Sequence, residues 1–446
     1  MSDKKADSKK PVDIKKALHK FNKLLDAKMQ VYMNTCVHCG LCADTCHYAL
    51  ANPDDPEMIP ASKIDRVTAI YRRYHTLVGK LLPFWTASRE LNESYTEKLV
   101  DTVFGRCTMC GRCGINCSVG LNTGQLIRAA RSVLAEAGLV PSSLQGTVDN
   151  AINTGNNMAI TEKDFIETIE WLQDDLKLEL GDNSVKFPLN KKDTNILYTL
   201  NPREPKFFPL SISAIGKIFH AVGENWTLSS TNFDVTNYGL FSGKDSEAQE
   251  ISLRLIDEAK RLGTKKIVLA ECGHGYRATR WELANWLAVS NANPKGSNLE
   301  IEVISVLELM AEYIRTGRLK LDPSKNSKLV TLHDPCNLVR NGGVIEEQRY
   351  ILKHAVQNFT EMIPNRQQNF CCGGGGGMLA MGEYSERRKK AGKIKADQII
   401  ATKAKIVATP CHNCIDQLLE LNTHYKLGVE IKTVGEVLAE AIVWGG

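Results

Sequence analysis

The sequence predicts two kinds of structure in one chain: a helical α+β region over roughly the first 190 residues, then a duplicated α/β region. Three observations carry this. Two runs of four cysteines at one spacing, Cys36, Cys39, Cys42, Cys46 and Cys107, Cys110, Cys113, Cys117, lie among apolar positions at helical intervals. From about residue 195 short apolar runs alternate with long amphipathic stretches, the pattern of buried strands joined by crossover helices. That second region repeats itself at a period of about 120 residues.

Residues 1–30 read as an N-terminal tail and a lead-in helix, and Lys4, Lys5, Lys9 and Lys10 carry much of the formal charge of +5. The tail reads as solvated; a phospholipid-facing role would want a second membrane signal. So small a charge over 446 residues, with no basic stripe or aromatic platform, gives no support for nucleic acid as a partner. No apolar run approaches the ~20 residues of a membrane span, and the N-terminus has no signal-peptide core. The expected compartment is the cytoplasm. Fourteen cysteines in Cys-x2-Cys clusters without a leader point to metal in a reducing compartment rather than to disulfides.

Cys-x2-Cys-x2-Cys-x3-Cys wraps a loop around one face of a cubane iron–sulfur cluster, with three thiolates from one run and the fourth reaching a neighbouring cluster. That crossover assigns Cys36, Cys39, Cys42 and Cys117 to one [4Fe–4S] cluster and Cys107, Cys110, Cys113 and Cys46 to another. Structural zinc prefers two separated knuckles, so quartets this compact suit it poorly. The bacterial run usually ends in Cys-Pro, whereas His47 and Ser118 follow the fourth cysteines here, which loosens the turn and leaves the ligands in place. The residues between the runs read as helices over 63–79 and 87–104. The second run feeds a helix over 124–137 with Leu126, Ile127, Ala130, Val133 and Leu134 on its apolar face, Gly138 as its stop and Pro141 beyond. A helical dicluster ferredoxin-like domain is thus expected over 31–190.

Strands are expected at 196–200, 266–270, 329–332 and 406–408, with crossover helices at 248–262, 345–359 and 384–403. Segment 301–312 parallels 429–440, 266–272 parallels 405–411, and 196–202 parallels 329–335. Two tandem half-domains, 191–322 and 323–446, account for this. The basic stretch 383–395, with Arg387, Arg388, Lys389 and Lys390, reads as a solvated helix face, with docking of an acidic partner as the alternative.

The remaining six cysteines lie in the duplicated region, five of them in its second copy: Cys336, Cys371, Cys372, Cys411 and Cys414. Each follows a predicted strand, where open α/β sheets place functional groups. Five thiols are one too many for a cubane, and adjacent Cys371 and Cys372 fit one cube corner badly. The glycines 373–377 lack the Gly-Lys-Ser/Thr of a phosphate loop; they let backbone pass close to an inorganic core and offer it N–H groups, with a plain flexible loop as the alternative.

Cys-x(30 to 40)-Cys-Cys-Gly-x(35 to 40)-Cys-x2-Cys after a dicluster domain resembles the cysteine-rich CCG domain of the heterodisulfide reductase D-type subunit, and the related iron–sulfur subunits of membrane redox complexes in sulfate reducers. The resemblance implies a non-cubane [4Fe–4S] cluster on Cys336, Cys371, Cys372, Cys411 and Cys414, fed by the two cubanes and performing disulfide chemistry. It implies a cytochrome b-type membrane partner exchanging with menaquinol, a disulfide or thiol substrate, and a peripheral place on the inner face of the cytoplasmic membrane.

The first copy departs from that pattern. Its Cys-Cys-Gly position falls at 238–243, its first cysteine position near Arg203, and its Cys-x2-Cys is reduced to Cys272-Gly-His-Gly. Cys272 is a cluster-adjacent thiol, a group that takes a mixed disulfide with substrate, or a buried remnant. Disulfide reduction takes two electrons and releases thiolates, so donors and cations nearby would help; His274, Arg277, His333, Arg340 and His412 are candidates. The expected function is an iron–sulfur oxidoreductase subunit with thiol–disulfide chemistry. Its rivals are a non-catalytic relay subunit and a lactate or glycolate oxidase iron–sulfur subunit with a flavin dehydrogenase partner.

Overall fold

The computed structural model describes residues 12–289 and 301–444; the basic tail residues Lys4 to Lys10 lie outside them. Helices Ile14–Leu24 and Ala27–Thr35 open the chain, capped by the carboxylates of Asp13 and Asp26. Helix Thr123–Glu136 is the centre of the first region. It packs against Ile14–Leu24 and Pro60–His75 through Leu126, Ile127, Ala130, Val133 and Leu134, all buried. Gly138 stands beyond its end at φ +75°, the left-handed turn glycine allows.

Two parallel four-stranded sheets follow. The first, β1 (Ile196–Tyr198), β2 (Trp226–Thr227), β3 (Lys266–Leu269) and β4 (Glu302–Ser305), is ordered β2-β1-β3-β4. The second, β5 (Leu329–Leu332), β6 (Asn358–Glu361), β7 (Ile406–Ala408) and β8 (Glu430–Lys432), is ordered β6-β5-β7-β8. The two orders are the same, strand for strand. The repeat reaches the level of capping chemistry: Ser305 with Glu308 and Thr433 with Glu436 form capping boxes on helices Val306–Arg315 and Val434–Glu440. In each sheet the order reverses about the first strand, so the loops after β5 and β7 meet at a switch point.

Four expected elements are corrected. The helix expected over 63–79 is two, Pro60–His75 and Leu77–Leu81, because the Thr76 hydroxyl accepts from Gly79 N and starts a new cap. The helix expected over 87–104 begins at Glu93: Ala87 is left-handed at φ +51°, and Asn92 caps at Tyr95 N. Helix 345–359 is Glu347–Ala355, and its expected end is instead edge strand β6, paired with β5 from Leu329–Asn358 to Leu332–Glu361. Helix 384–403 is broken at Gly392, where any Cβ would meet Leu421 at 2.6 Å.

The basic stretch 383–395 is only in part a solvated face: Lys390 and Lys393 are exposed, whereas three other cations turn inward. Arg387 donates to Asp101 Oδ1 at 2.8 Å and Gly105 O at 3.0 Å. Arg388 is buried against Gln417 and Glu420. Lys395 is 1% exposed, its Nζ 3.7 Å from Met362 Sδ, and burial pushes its pKa down to about 8. These cations join segments rather than face water. No helix among the described residues is long and apolar enough to cross a membrane.

The two halves meet through helix Pro209–Ala221 on Val434–Glu440 and through Glu271, whose carboxylate accepts from Val434 N at 3.0 Å and Gly435 N at 2.6 Å. Nearby Glu204 is buried, and desolvation pushes its pKa up from 4.5 to about 8 against the opposing Asn201 N–H and Ser211 hydroxyl. Its folded pKa lies above the unfolded one. The folded state therefore keeps a proton that the unfolded chain gives up, and stability falls as pH rises from about 4.5 to about 8. Glu204→Gln is expected to flatten that decline, read as a smaller difference in urea midpoint between pH 6 and pH 8, two values inside that ~4–8 window.

Candidate iron–sulfur and thiol site

The two N-terminal cysteine loops fold alike. In each, the residue before the second cysteine and the glycine after it are left-handed: His38 at φ +53° and Gly40 at +84°, then Met109 at +53° and Gly111 at +78°. Two such residues curl the loop so that its thiols turn to one side. Cys36, Cys39, Cys42, Cys113 and Cys117 line one cavity. Cys46, Cys107, Cys110 and Cys113 line a second. Cys113 and Thr123 border both. Lys63 is buried at the second, its Nζ donating to Arg106 O at 2.6 Å and lying 4.0 Å from Cys46 Sγ.

The third cavity lies at the C-terminal ends of β5 and β7, lined by Cys336, Cys372, Cys411 and Cys414 with Gly374 and Gly375. Cys336 Sγ is 3.9 Å from Cys371 Sγ, and Cys372 Sγ is 3.6 Å from Cys414 Sγ. All five cysteines are buried. The loop ahead of Cys336 is clamped: Arg349 holds Asp334 through two bonds of 2.8 and 2.6 Å, and Arg366 N donates to Asp334 Oδ2 at 2.6 Å. Cys411 opens helix His412–Tyr425, and its thiol is held below the ordinary range by Cys414 first and then by backbone N–H groups that include Gly273.

The second and third cavities adjoin. A Cβ on Gly376, which is left-handed at φ +66°, would stand 2.6 Å from Thr108 O; one on Gly375 would stand 3.7 Å from both Cys336 Sγ and Cys371 Sγ. At Gly376 glycine is a requirement of close approach to the Thr108 backbone. Arg131 fastens the junction. Fully buried, it donates to Val103 O at 2.9 Å, Phe241 O at 2.8 Å, Gly376 O at 2.7 Å and Cys107 O at 2.9 Å. Arg340 adds a second tie, from Cys110 O at 2.8 Å to Gln367 O at 2.7 Å and Asn369 O at 2.5 Å.

Two buried histidines have no hydrogen-bond partner on either ring nitrogen, His47 and His333. His47 senses the Cys110 and Cys371 thiols, so it stands between the second and third cavities. His333 has a ring nitrogen within 4.8 Å of the Cys372 and Cys414 thiols. Buried polar atoms are normally satisfied, and orphaned N–H groups among convergent thiols fit a sulfide-bearing cluster that accepts from them. The eight thiols lining the first two cavities, and the four lining the third with Cys371 beside Cys336, are a matching donor set.

The other candidates divide. His274 lines the third cavity and is kept neutral by burial, its pKa pushed down to about 3. Arg277 is engaged with Glu282 at 3.0 and 2.8 Å. His412 turns away from the cavity toward the first half, with Nε2 3.2 Å from Ser211 Oγ. Cys272 does not line the cavity: fully buried, its Sγ sits 3.5 Å from His274 Nδ1 and 3.7 Å from Asn201 Nδ2. With no exposed surface, beside cavity-lining His274 and close enough to Cys411 to interact with its thiol, it fits both the buried-thiol and the cluster-adjacent readings. In the degenerate copy, Phe241 lines the third cavity, and Arg203 pairs with Asp416.

Residues 32–121 match the 4Fe-4S dicluster domain and residues 330–418 the cysteine-rich CCG domain. The chain is 29% identical to the Hdr-like menaquinol oxidoreductase iron-sulfur subunit of Archaeoglobus profundus, over 93% of this chain and 80% of that protein. It is 28% identical to the D subunit of the dihydromethanophenazine:CoB--CoM heterodisulfide reductase of Methanosarcina mazei, over 94% of this chain and 96% of that protein. The chain resembles the heterodisulfide reductase D-type iron–sulfur proteins along nearly its whole length. Those relatives are named as iron–sulfur or reductase subunits; in this Hdr-like chain the two matched domains indicate iron–sulfur clusters, within a helical α+β region and a duplicated α/β region.

Sequence reading missed three residues of this Hdr-like site. His47 was visible only as the residue standing where proline usually follows the run. Arg131 and Phe241 carried no local signal, because their partners lie up to 245 residues away.

Proposed function

We propose that this chain moves electrons between a cytochrome b-type membrane partner exchanging with menaquinol and a cytoplasmic disulfide or thiol substrate. Cys36, Cys39, Cys42 and Cys117 would hold one cubane, Cys46, Cys107, Cys110 and Cys113 a second, and Cys336, Cys371, Cys372, Cys411 and Cys414 a non-cubane cluster. When bound, the cubanes supply one-electron transfer and the third cluster thiol–disulfide chemistry. On this reading the chain divides into a tail (1–30), a dicluster domain (31–190), a degenerate CCG half (191–322) and a complete one (323–446), and sits on the inner face of the cytoplasmic membrane.

The observation that carries the reading is contiguity. The first two cavities share Cys113 and Thr123, and Cys110 packs against the buried cysteines of the third. The chain's own part is to exclude water, keep His274 and His333 neutral, and hold the three sites in register through Arg131 and Arg340. Burial of every cysteine at the third site also suits a relay without catalysis, so the deciding experiment must separate the two. Low-temperature EPR of oxidised protein titrated with small thiols does so. A signal that changes with thiol supports disulfide chemistry; a thiol-insensitive cluster in a chain holding about twelve iron atoms supports the relay.

His47 gives a second test. A donor between two clusters stabilises their reduced states. His47→Phe is expected to lower two midpoint potentials together, each by roughly 40–90 mV, the one-electron equivalent of a hydrogen bond worth about 1–2 kcal/mol. His47→Gln, which keeps a donor, should shift them less in a redox titration followed by EPR.

A further inference from the structure

Between the two cysteine runs the chain makes an excursion the redox reading does not use. Leu77, Val78, Leu81, Leu82, Phe84 and Trp85 are 73, 55, 69, 52, 87 and 83% exposed. Scattered exposed leucines need no explanation, but six large apolar side chains within nine residues do. The segment is built rather than loose. Gly79 is buried, the Ser88 hydroxyl donates to Gly79 O at 2.7 Å, Arg72 Nη1 to Thr86 O at 2.7 Å, and Arg73 Nη1 to Lys80 O at 3.1 Å. Polar groups thus fasten the inner side while the apolar side chains are held outward.

We infer that residues 77–87 are a lipid-binding tip that seats this chain on an anionic membrane surface. Two observations select a bilayer over a protein groove. Phe84 and Trp85 are so exposed that they stand clear of the body, whereas a flat protein-binding patch leaves each side chain partly covered by its neighbours. The charge is one-sided as well. From residue 66 to residue 89 there is no carboxylate, while Arg66, Arg72, Arg73, Lys80 and Arg89 all fall there. Arg66, Arg72 and Arg73 are paired with Glu57, Asp65 and Glu90, but Lys80 and Arg89 have no ion pair among the described residues. A tip of aromatic and leucine side chains flanked by free cations matches the interfacial zone of a bilayer, where rings sit at headgroup level and cations meet anionic lipid. The inference deepens the peripheral location proposed above and rests on none of its redox chemistry.

The test is flotation of the full chain with vesicles of mixed phosphatidylcholine and phosphatidylglycerol, and with phosphatidylcholine alone. The wild type should float with the mixed vesicles, more weakly with the neutral ones. Phe84→Ser combined with Trp85→Ser should lower the partition coefficient at least about tenfold, with iron content and EPR unchanged to show that the fold survives. Leu81→Glu should act in the same direction. Replacing Lys4, Lys5, Lys9 and Lys10 with glutamine should leave most of the binding. Absence of flotation, equal flotation by the double variant, loss of binding on the tail substitutions, or a dimer that the double variant converts to monomer would each overturn the assignment. A thiol-silent EPR spectrum would leave it standing, since flotation reads the tip and EPR the clusters.

Discussion

Cys411→Ala is expected to lower the iron content from about twelve to about eight atoms per chain and to remove one cluster signal while both cubane signals remain. Cys411 lines only the third cavity, so its loss reaches neither N-terminal quartet. It opens helix His412–Tyr425 from an extended backbone, without a side-chain cap bond, so alanine there costs the helix no hydrogen bond. Cys272→Ala is the control. Its thiol is buried beside Asn201 and His274 and off the cavity wall, so iron content should not change. Iron analysis with EPR of both variants decides the matter: about eight iron atoms in the wild type would refute the third cluster, and iron loss in Cys272→Ala would bring that thiol into the site.

The second large effect is expected at Arg131. Its guanidinium gives four hydrogen bonds, of 2.7 to 2.9 Å, to carbonyls of Val103, Cys107, Phe241 and Gly376, and it lies 4.6 Å over the Phe104 ring. Burial lowers its pKa to about 10, so it remains a cation at neutral pH. Arg131→Met keeps much of the volume and removes every donor. Buried carbonyls left unpaired cost about 1–3 kcal/mol each before relaxation, and the variant is expected to lose roughly 3–5 kcal/mol in all, the range for breaking a buried charged network. Because two of those carbonyls belong to Cys107 and Gly376, the second and third sites should loosen together. Urea unfolding of the cluster-loaded protein, with the visible cluster absorbance as a second signal, measures both; an unfolding free energy within about 0.5 kcal/mol of wild type, the range of ordinary surface changes, would remove Arg131 from this role.

Much of the architecture was legible, for identifiable reasons. The duplicated region shows itself because each half repeats a strand, a capping box and an amphipathic helix, and 301–312 and 429–440 carry that signature almost residue for residue. The strands β2, β4, β6 and β8 were not read as strands: all four lie on sheet edges, and β2 has only two residues, too few to show a period. Arg388 and Lys395 were misplaced on a solvated face because a run of cations looks the same in sequence whether water or Glu420 faces it. Helix ends at Thr76 and Asn92 depended on side-chain caps that compete with continuation of the helix.

By itself the sequence determined the thiol inventory, the two identical cluster loops and the Cys-Cys-Gly pattern after a repeated α/β framework. Each is set by spacing within a short loop, where covalent geometry limits how far thiols can lie from one another. Tertiary structure alone decided that Thr108 backs onto Gly376, that Arg131 binds three parts of the chain, that His47 stands between Cys110 and Cys371, and that Leu77 to Trp85 face outward. Those relations join segments as much as 324 residues apart, from Cys371 to His47. No local pattern encodes such distances, because they follow from how whole faces pack once each element has formed.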